Sequence, residues 1–127
     1  MYCLRNLLCI LLVSSCRPTE ETGLARYFAD NRSGYDLKVM VDCIPSVSKA
    51  CDTCLVHSNA NIFLGEDAAF GHAPRPDETV VRIRVYKDDT LKIDLGKPYG
   101  DTVWVGQKGN STYDYDFSFR ILPEYVE

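Results

Sequence analysis

Tyr113, Tyr115, Phe117, Phe119 and Ile121 alternate with Asp114, Asp116, Ser118 and Arg120 close to the end of the chain. A period of two puts successive side chains on opposite faces of an extended strand, so one face here is aromatic and the other polar. Such a strand needs hydrogen-bonded neighbours at its edges and a second apolar layer over its aromatic face. The same grammar recurs upstream. Leu37, Val39, Val41 and Cys43 alternate with Asp36, Lys38, Met40 and Asp42. Val81, Ile83 and Val85 are expected to face inward with Arg82, Arg84 and Tyr86 outward; Leu91, Ile93 and Leu95 follow beyond a turn at Lys87-Asp88-Asp89. That pattern predicts a hairpin.

Shorter strands are expected at Ala25–Ala29, Cys54–His57, Asn61–Leu64 and Thr102–Gln107. Asp30-Asn31-Arg32-Ser33-Gly34 and Gly109-Asn110-Ser111 supply turn chemistry, through residues that hydrogen-bond their own backbone or tolerate positive φ. Gly65 to Glu78 reads as a long irregular stretch, and a helix turn after Pro123 is the only helical candidate. About seven short strands with turns at intervals of about 8–12 residues predict an all-β fold, a single immunoglobulin-like β-sandwich over residues 24–127.

The start of the chain follows different rules. Arg5 precedes the apolar run Leu7-Leu8-Cys9-Ile10-Leu11-Leu12-Val13, and small residues follow. That run is far short of the roughly 20 residues a spanning helix needs, so residues 1–15 read as a cleaved signal peptide. Leu12-Val13-Ser14-Ser15-Cys16 resembles the lipobox of bacterial lipoproteins. The resemblance implies cleavage before Cys16, a diacylglyceryl (palmitate-type) group on its thiol, and a short tether over residues 16–23. More than one acyl chain makes a firm anchor. With Arg17 rather than Asp next to the cysteine, the lipoprotein pattern implies the outer membrane, its periplasmic and surface faces both remaining open.

The remaining length suits one domain. The whole chain has a formal charge of −4 and no run of Lys or Arg, which gives no footprint for nucleic acid and no electrostatic grip on anionic lipid. The membrane is therefore expected to hold the protein through lipid on Cys16 alone.

Six cysteines divide between leader and domain. Cys3 and Cys9 belong to the leader and Cys16 to the lipid, leaving Cys43, Cys51 and Cys54 in a compartment where disulfides persist. Cys43 and Cys54 are expected to face each other across a hairpin mouth as one disulfide, with Cys43–Cys51 as the competing pairing.

The order of these stretches resembles small lipoproteins of Bacteroidota. It carries Asn31-Arg32-Ser33-Gly34-Tyr35-Asp36-Leu37-Lys38-Val39, then a Gly/Pro-rich loop before Asp77-Glu78-Thr79-Val80-Val81-Arg82-Ile83. It closes on Tyr115-Asp116-Phe117-Ser118-Phe119-Arg120-Ile121 and Pro123-Glu124-Tyr125. Such proteins begin with a short leader ending in Ser-Cys and finish on an aromatic strand and an acidic-Tyr tail. They have no settled activity, so the resemblance implies an address and a fold without a mechanism.

Few residues point to chemistry. Cys43, Cys51, Cys54 and His57 have donor types that suit zinc, and Cys51-Asp52-Thr53-Cys54 suits redox exchange. The oxidising compartment and the absence of a following helix favour a structural disulfide, with no metal and no cofactor. Ser46 and Ser48 near His57 and His72 lack a nucleophile elbow. Glu66-Asp67, Asp77-Glu78 and Asp88-Asp89 are adjacent pairs in turns rather than acids flanking one bond. If Val103 and Val105 point inward, Trp104 points outward, and with Tyr86 and Tyr99 it would form a binding surface. The expectation is a membrane-anchored, non-catalytic envelope module that contacts another protein. A surface module for a glycan or small ligand is the first alternative, and a small hydrolase or metal-dependent enzyme the second.

Overall fold

The computed structural model describes residues 22–45, 47, 52–100, 103–109 and 113–127. The leader, Cys16, Arg17 to Glu21, Ser46, Ser48, Cys51 and Thr102 lie outside the described residues.

Alternation translates directly into the first strand, β1 (Thr22–Asn31), where Ala25, Tyr27, Ala29 and Asn31 are buried and the residues between them are half-buried. It is followed by β2 (Leu37–Cys43), β3 (Thr53–Val56), β4 (Asn61–Phe70), a helical turn α1 (Pro76–Thr79), β5 (Val80–Lys87), β6 (Thr90–Gly96), β7 (Trp104–Lys108) and β8 (Tyr115–Ile121). A 3-10 turn at Pro123–Tyr125 closes the chain, as its Pro-Glu-Tyr sequence predicts. β1 takes in Thr22 and Gly23, which the sequence assigns to the tether.

The strands form two four-stranded sheets in the orders β4-β1-β8-β7 and β3-β2-β5-β6. The expected all-β sandwich is present, with four strands in each layer. β1 and β8, the first and last strands, pair in parallel at the centre of one sheet, while the other pairings are antiparallel. Arg26 stands opposite Asp116 and grips it with two hydrogen bonds, of 2.8 and 3.2 Å.

The core fills the space between the layers. Tyr27, Leu64, Phe117, Phe119 and Ile121 come from one sheet; Leu37, Val39, Val56, Ile83 and Val85 come from the other. Ala25 and Ala29 flank Tyr27 on β1, so small residues leave room for its ring. At the end of β1, Asn31 is fully buried and holds the turn that follows. Its amide nitrogen donates to the carbonyls of Tyr35 (2.7 Å), Val56 (3.0 Å) and His57 (3.1 Å), while its oxygen accepts from the Ser33 amide and hydroxyl.

Departures from the sequence pattern arise at bulges. Between Asp42 and Cys43 the register with β5 slips, so Val80 is buried and Val81 lies 39% exposed instead of pointing inward. On β6 the pairing passes from Val85–Ile93 to Tyr86–Leu91 and skips Lys92. Opposed residues share a face, so Leu91 joins Tyr86 outside and is exposed. β4 continues through Gly65 to Phe70, where the sequence reads irregular chain. Its register shifts at Leu64, and it is an edge strand whose Glu66 and Asp67 disturb no core.

The β2–β3 register also overturns the preferred disulfide. Cys54 stands opposite Val39, four residues before Cys43. At about 3.3 Å per residue the offset is about 13 Å, beyond the roughly 7 Å that a disulfide spans between Cα atoms. Cys43 carries a free thiol, and Cys54 is disulfide-bonded elsewhere. Both pairings expected from the sequence use Cys43, so neither is formed.

Candidate functional site

β7 lies antiparallel to β8, with Trp104 opposite Phe119 and Gly106 opposite Phe117. Each opposed pair shares a face, so Trp104 and Gly106 belong to the inner face. Trp104 is accordingly 8% exposed and Val105 39%, the reverse of the sequence expectation. Trp104 meets Tyr27 and Tyr99 edge-on at 6.2 and 6.0 Å, and Phe119 at 5.5 Å. Tyr99 is half-buried beside it, with its hydroxyl donating to the Val80 carbonyl and its backbone N–H to Asp77. Burial pushes the Tyr99 phenol well above its ordinary range. Tyr86 belongs to the other sheet, under the Lys38 ammonium. The three aromatic residues therefore do not form one exposed platform.

A cleft opens further along the same inner face. Tyr115 shares that face with Phe117 and Phe119 yet is 38% exposed, as the opposite sheet no longer covers it, and Tyr113 is 37% exposed. Tyr115 and Phe117 hold nearly parallel rings, 20° apart with centroids 5.9 Å apart, and Phe117 stacks in turn on Tyr27. Gly106 lets these rings approach β7 closely: a Cβ there would sit 3.2 Å from Phe117 Cε1. Glycine inside a strand marks such close approach, and this was the one signal of the cleft available in the sequence.

The opposite wall is the segment after β4. Gly71, at φ +78°, turns the chain, and the backbone at His72 and Ala73 packs against Gly23. The Tyr27 hydroxyl donates to the Pro74 carbonyl at 2.6 Å and fixes the segment from inside. Burial raises the Tyr27 phenol far above its ordinary range, so it stays a donor. The resulting cleft measures about 520 Å³ and is lined by His72, Arg75, Trp104, Gly106, Tyr113, Tyr115 and Phe117 among others. That lies within the range of small-molecule sites.

Polar groups at the cleft have defined states. The Nδ1 of His72 lies 3.3 Å from the Phe70 carbonyl, and its Nε2 lies 3.0 Å from Glu78 Oε1. Both partners are acceptors, so only the imidazolium, with a proton on each nitrogen, satisfies them. The Glu78 hydrogen bond, followed by the Phe70 carbonyl, raises the His72 pKa above 6.5. Glu78 also accepts the Arg75 backbone N–H at 2.7 Å. Among the described residues the cleft lining contains no Ser, Thr or Cys. The Trp104 indole N–H is buried with no hydrogen-bond partner among the described residues. Leaving such a donor unmatched costs about 1–3 kcal/mol. Trp104 and Arg75 also line an adjoining cavity of about 30 Å³.

The other sequence candidates are dispersed. His57 lies 3.6 Å from Asp36, both well exposed. Asp88 and Asp89, at φ 49° and 63°, form the tight turn between β5 and β6. Among the described residues no three His, Cys, Asp or Glu side chains gather as a metal site. Burial pushes the Cys43 thiol up to about 11. No family model, curated protein or solved structure matches this chain.

Proposed function

We propose that this protein is a non-catalytic binding module of the bacterial envelope, tethered to the outer membrane by lipid on Cys16, whose cleft takes a saccharide. The cleft carries this reading: exposed Tyr113 and Tyr115 rings, and an indole N–H with no partner among the described residues. Flat aromatic faces match the C–H face of a sugar ring, and buried donors match its hydroxyls. The His72 ring held by Phe70 and Glu78, and a lining with no Ser, Thr or Cys among the described residues, favour binding over turnover.

A contact with another envelope protein is the second reading. It is favoured by a groove of about 410 Å³ that includes Leu95, Val103, Phe119 and the exposed Tyr125. The two readings separate experimentally. Trp104 is the only tryptophan in the chain, so its emission reports on the cleft without interference. Titration of the full chain in detergent with neutral and acidic oligosaccharides should shift that emission, and Gly106→Val should abolish the shift. No shift with any sugar, together with an envelope protein cross-linked through the Tyr125 groove, would establish the second reading instead. Cys16→Ala should move the protein from membrane to soluble fractions, and retention in membranes would refute the tether.

A further inference from the structure

The geometry points to a carboxylate-bearing saccharide, of uronic-acid type, as the occupant of the Tyr113–Tyr115–Phe117 cleft, with Arg75 as the residue that selects the acid. This rests on the saccharide reading above and names its chemical class.

The charge distribution carries the argument. The chain as a whole is acidic, with 18 Asp and Glu against 14 Lys and Arg. Among the described residues the cleft reverses that balance, since its lining includes His72 and Arg75 and no described Asp or Glu. Of the neighbouring carboxylates, Glu78 is committed to the His72 ring and the Arg75 backbone N–H, and Asp77 to the Tyr99 backbone N–H. The Arg75 side chain is exposed and forms no salt bridge with a described residue, although its charge acts on Glu78. Other surface arginines are engaged: Arg26 with Asp116, Arg32 with Asp30, Arg82 with Asp94. An exposed guanidinium beside aromatic rings presents a planar fork that fits a carboxylate through two parallel hydrogen bonds.

The rings supply the rest of the recognition. Tyr115 and Phe117 run nearly parallel at one end of the cleft, and Arg75 stands on the wall built by the segment after β4. A pyranose lying on the rings would direct an acidic substituent toward that wall. Trp104, which is more than nine-tenths buried, lines the same cleft, and its buried indole N–H has no partner among the described residues. The site thus combines stacking surface with a cation, and among the described residues no carboxylate lines it.

The test uses the full chain in detergent, with Trp104 emission as the readout. Cellobiouronic acid and cellobiose are the probes, which differ by one carboxylate. The acid should bind at least tenfold more tightly than the neutral sugar at low salt, and the preference should shrink as salt rises. Arg75→Gln should remove the preference, so that this variant binds the acid no more tightly than it binds cellobiose. An unaltered near-ultraviolet circular dichroism spectrum would show that the variant is folded. Equal affinity for both sugars would overturn the carboxylate assignment and leave the saccharide reading standing. No response to either would overturn both, and a preference that survives Arg75→Gln would remove Arg75 from the assignment.

Discussion

Gly23 and His72 touch backbone to backbone: a Cβ on Gly23 would overlap the carbonyl group of His72 and the amide nitrogen of Ala73. The start of β1 and the wall of the cleft are therefore set by one missing side chain. Gly23→Ala must push the His72–Arg75 segment outward, and overpacking of this kind costs about 1–3 kcal/mol. The expected outcome is a lower denaturation midpoint with an altered Trp104 emission maximum. A variant indistinguishable from the parent in both would show that the wall does not depend on this contact.

Phe117 is buried between Tyr27 and Tyr115, with ring centroids at 6.0 and 5.9 Å. Phe117→Ala should cost about 3–5 kcal/mol as a core cavity. It should also weaken any ligand resting on the cleft floor. Chemical denaturation measures the first effect and Trp104 titration the second, and a tolerated change would mean that the faces of β8 are reversed.

The faces of β8 were legible because its alternation runs undisturbed from Tyr115 to Ile121. Val81 and Leu91 were misread because bulges move them, and a bulge is set by what a strand pairs with rather than by its own residues. In Val103-Trp104-Val105 all three side chains are apolar, so parity alone could not orient them, and pairing with Phe119 decides. The Cys43–Cys54 pairing failed on register, which depends on the turn between the strands. The cleft joins residues from three separate segments, and only tertiary packing brings His72, Gly106 and Tyr115 together.

Asn31 closes the β1 turn with contacts that only an amide supplies, since it donates to carbonyls and accepts from Ser33. Asn31→Ala should lower stability by about 2–4 kcal/mol by stranding those carbonyls and the Ser33 donors. Asn31→Asp should be worse, because it sets a buried carboxylate against carbonyl oxygens. The order parent, Ala, Asp in urea midpoints checks this, and an Asp variant as stable as the parent would contradict the network.

The His72–Glu78 pair predicts a pH window. His72 titrates above its ordinary 6.5, so its contribution is complete below 6.5 and fades as pH rises through the raised value. Glu78 titrates below its ordinary 4.5, chiefly through the Arg75 backbone N–H, so its contribution is complete above 4.5 and fades as pH falls through the lowered value. The bridge is therefore fully formed between about 4.5 and 6.5. Glu78→Gln should bring the His72 titration, followed by NMR of the imidazole protons, back toward 6.5. A midpoint unmoved by Glu78→Gln would show that Phe70 alone holds the ring.

The cysteines give the last prediction. Cys43 is a free thiol pushed up to about 11 by burial and by nearby Asp42, Asp52 and Asp67. At pH 8 only about a thousandth of it is thiolate, the reactive form. Iodoacetamide should therefore leave Cys43 untouched in the native protein and modify it once the chain is unfolded without reductant. Cys54, being disulfide-bonded, should resist until reduction. Cys43→Ser should shift stability by less than about 1 kcal/mol, against about 2–5 kcal/mol for loss of a native disulfide through Cys54→Ser. Peptide mapping after unfolding without reduction decides the matter. Label on the Cys43 peptide with none on the Cys54 peptide is the expected result, and if Cys51 is also unlabelled it becomes the partner of Cys54. A Cys43 that stays unlabelled until reduction would restore the pairing that the β2–β3 register excludes.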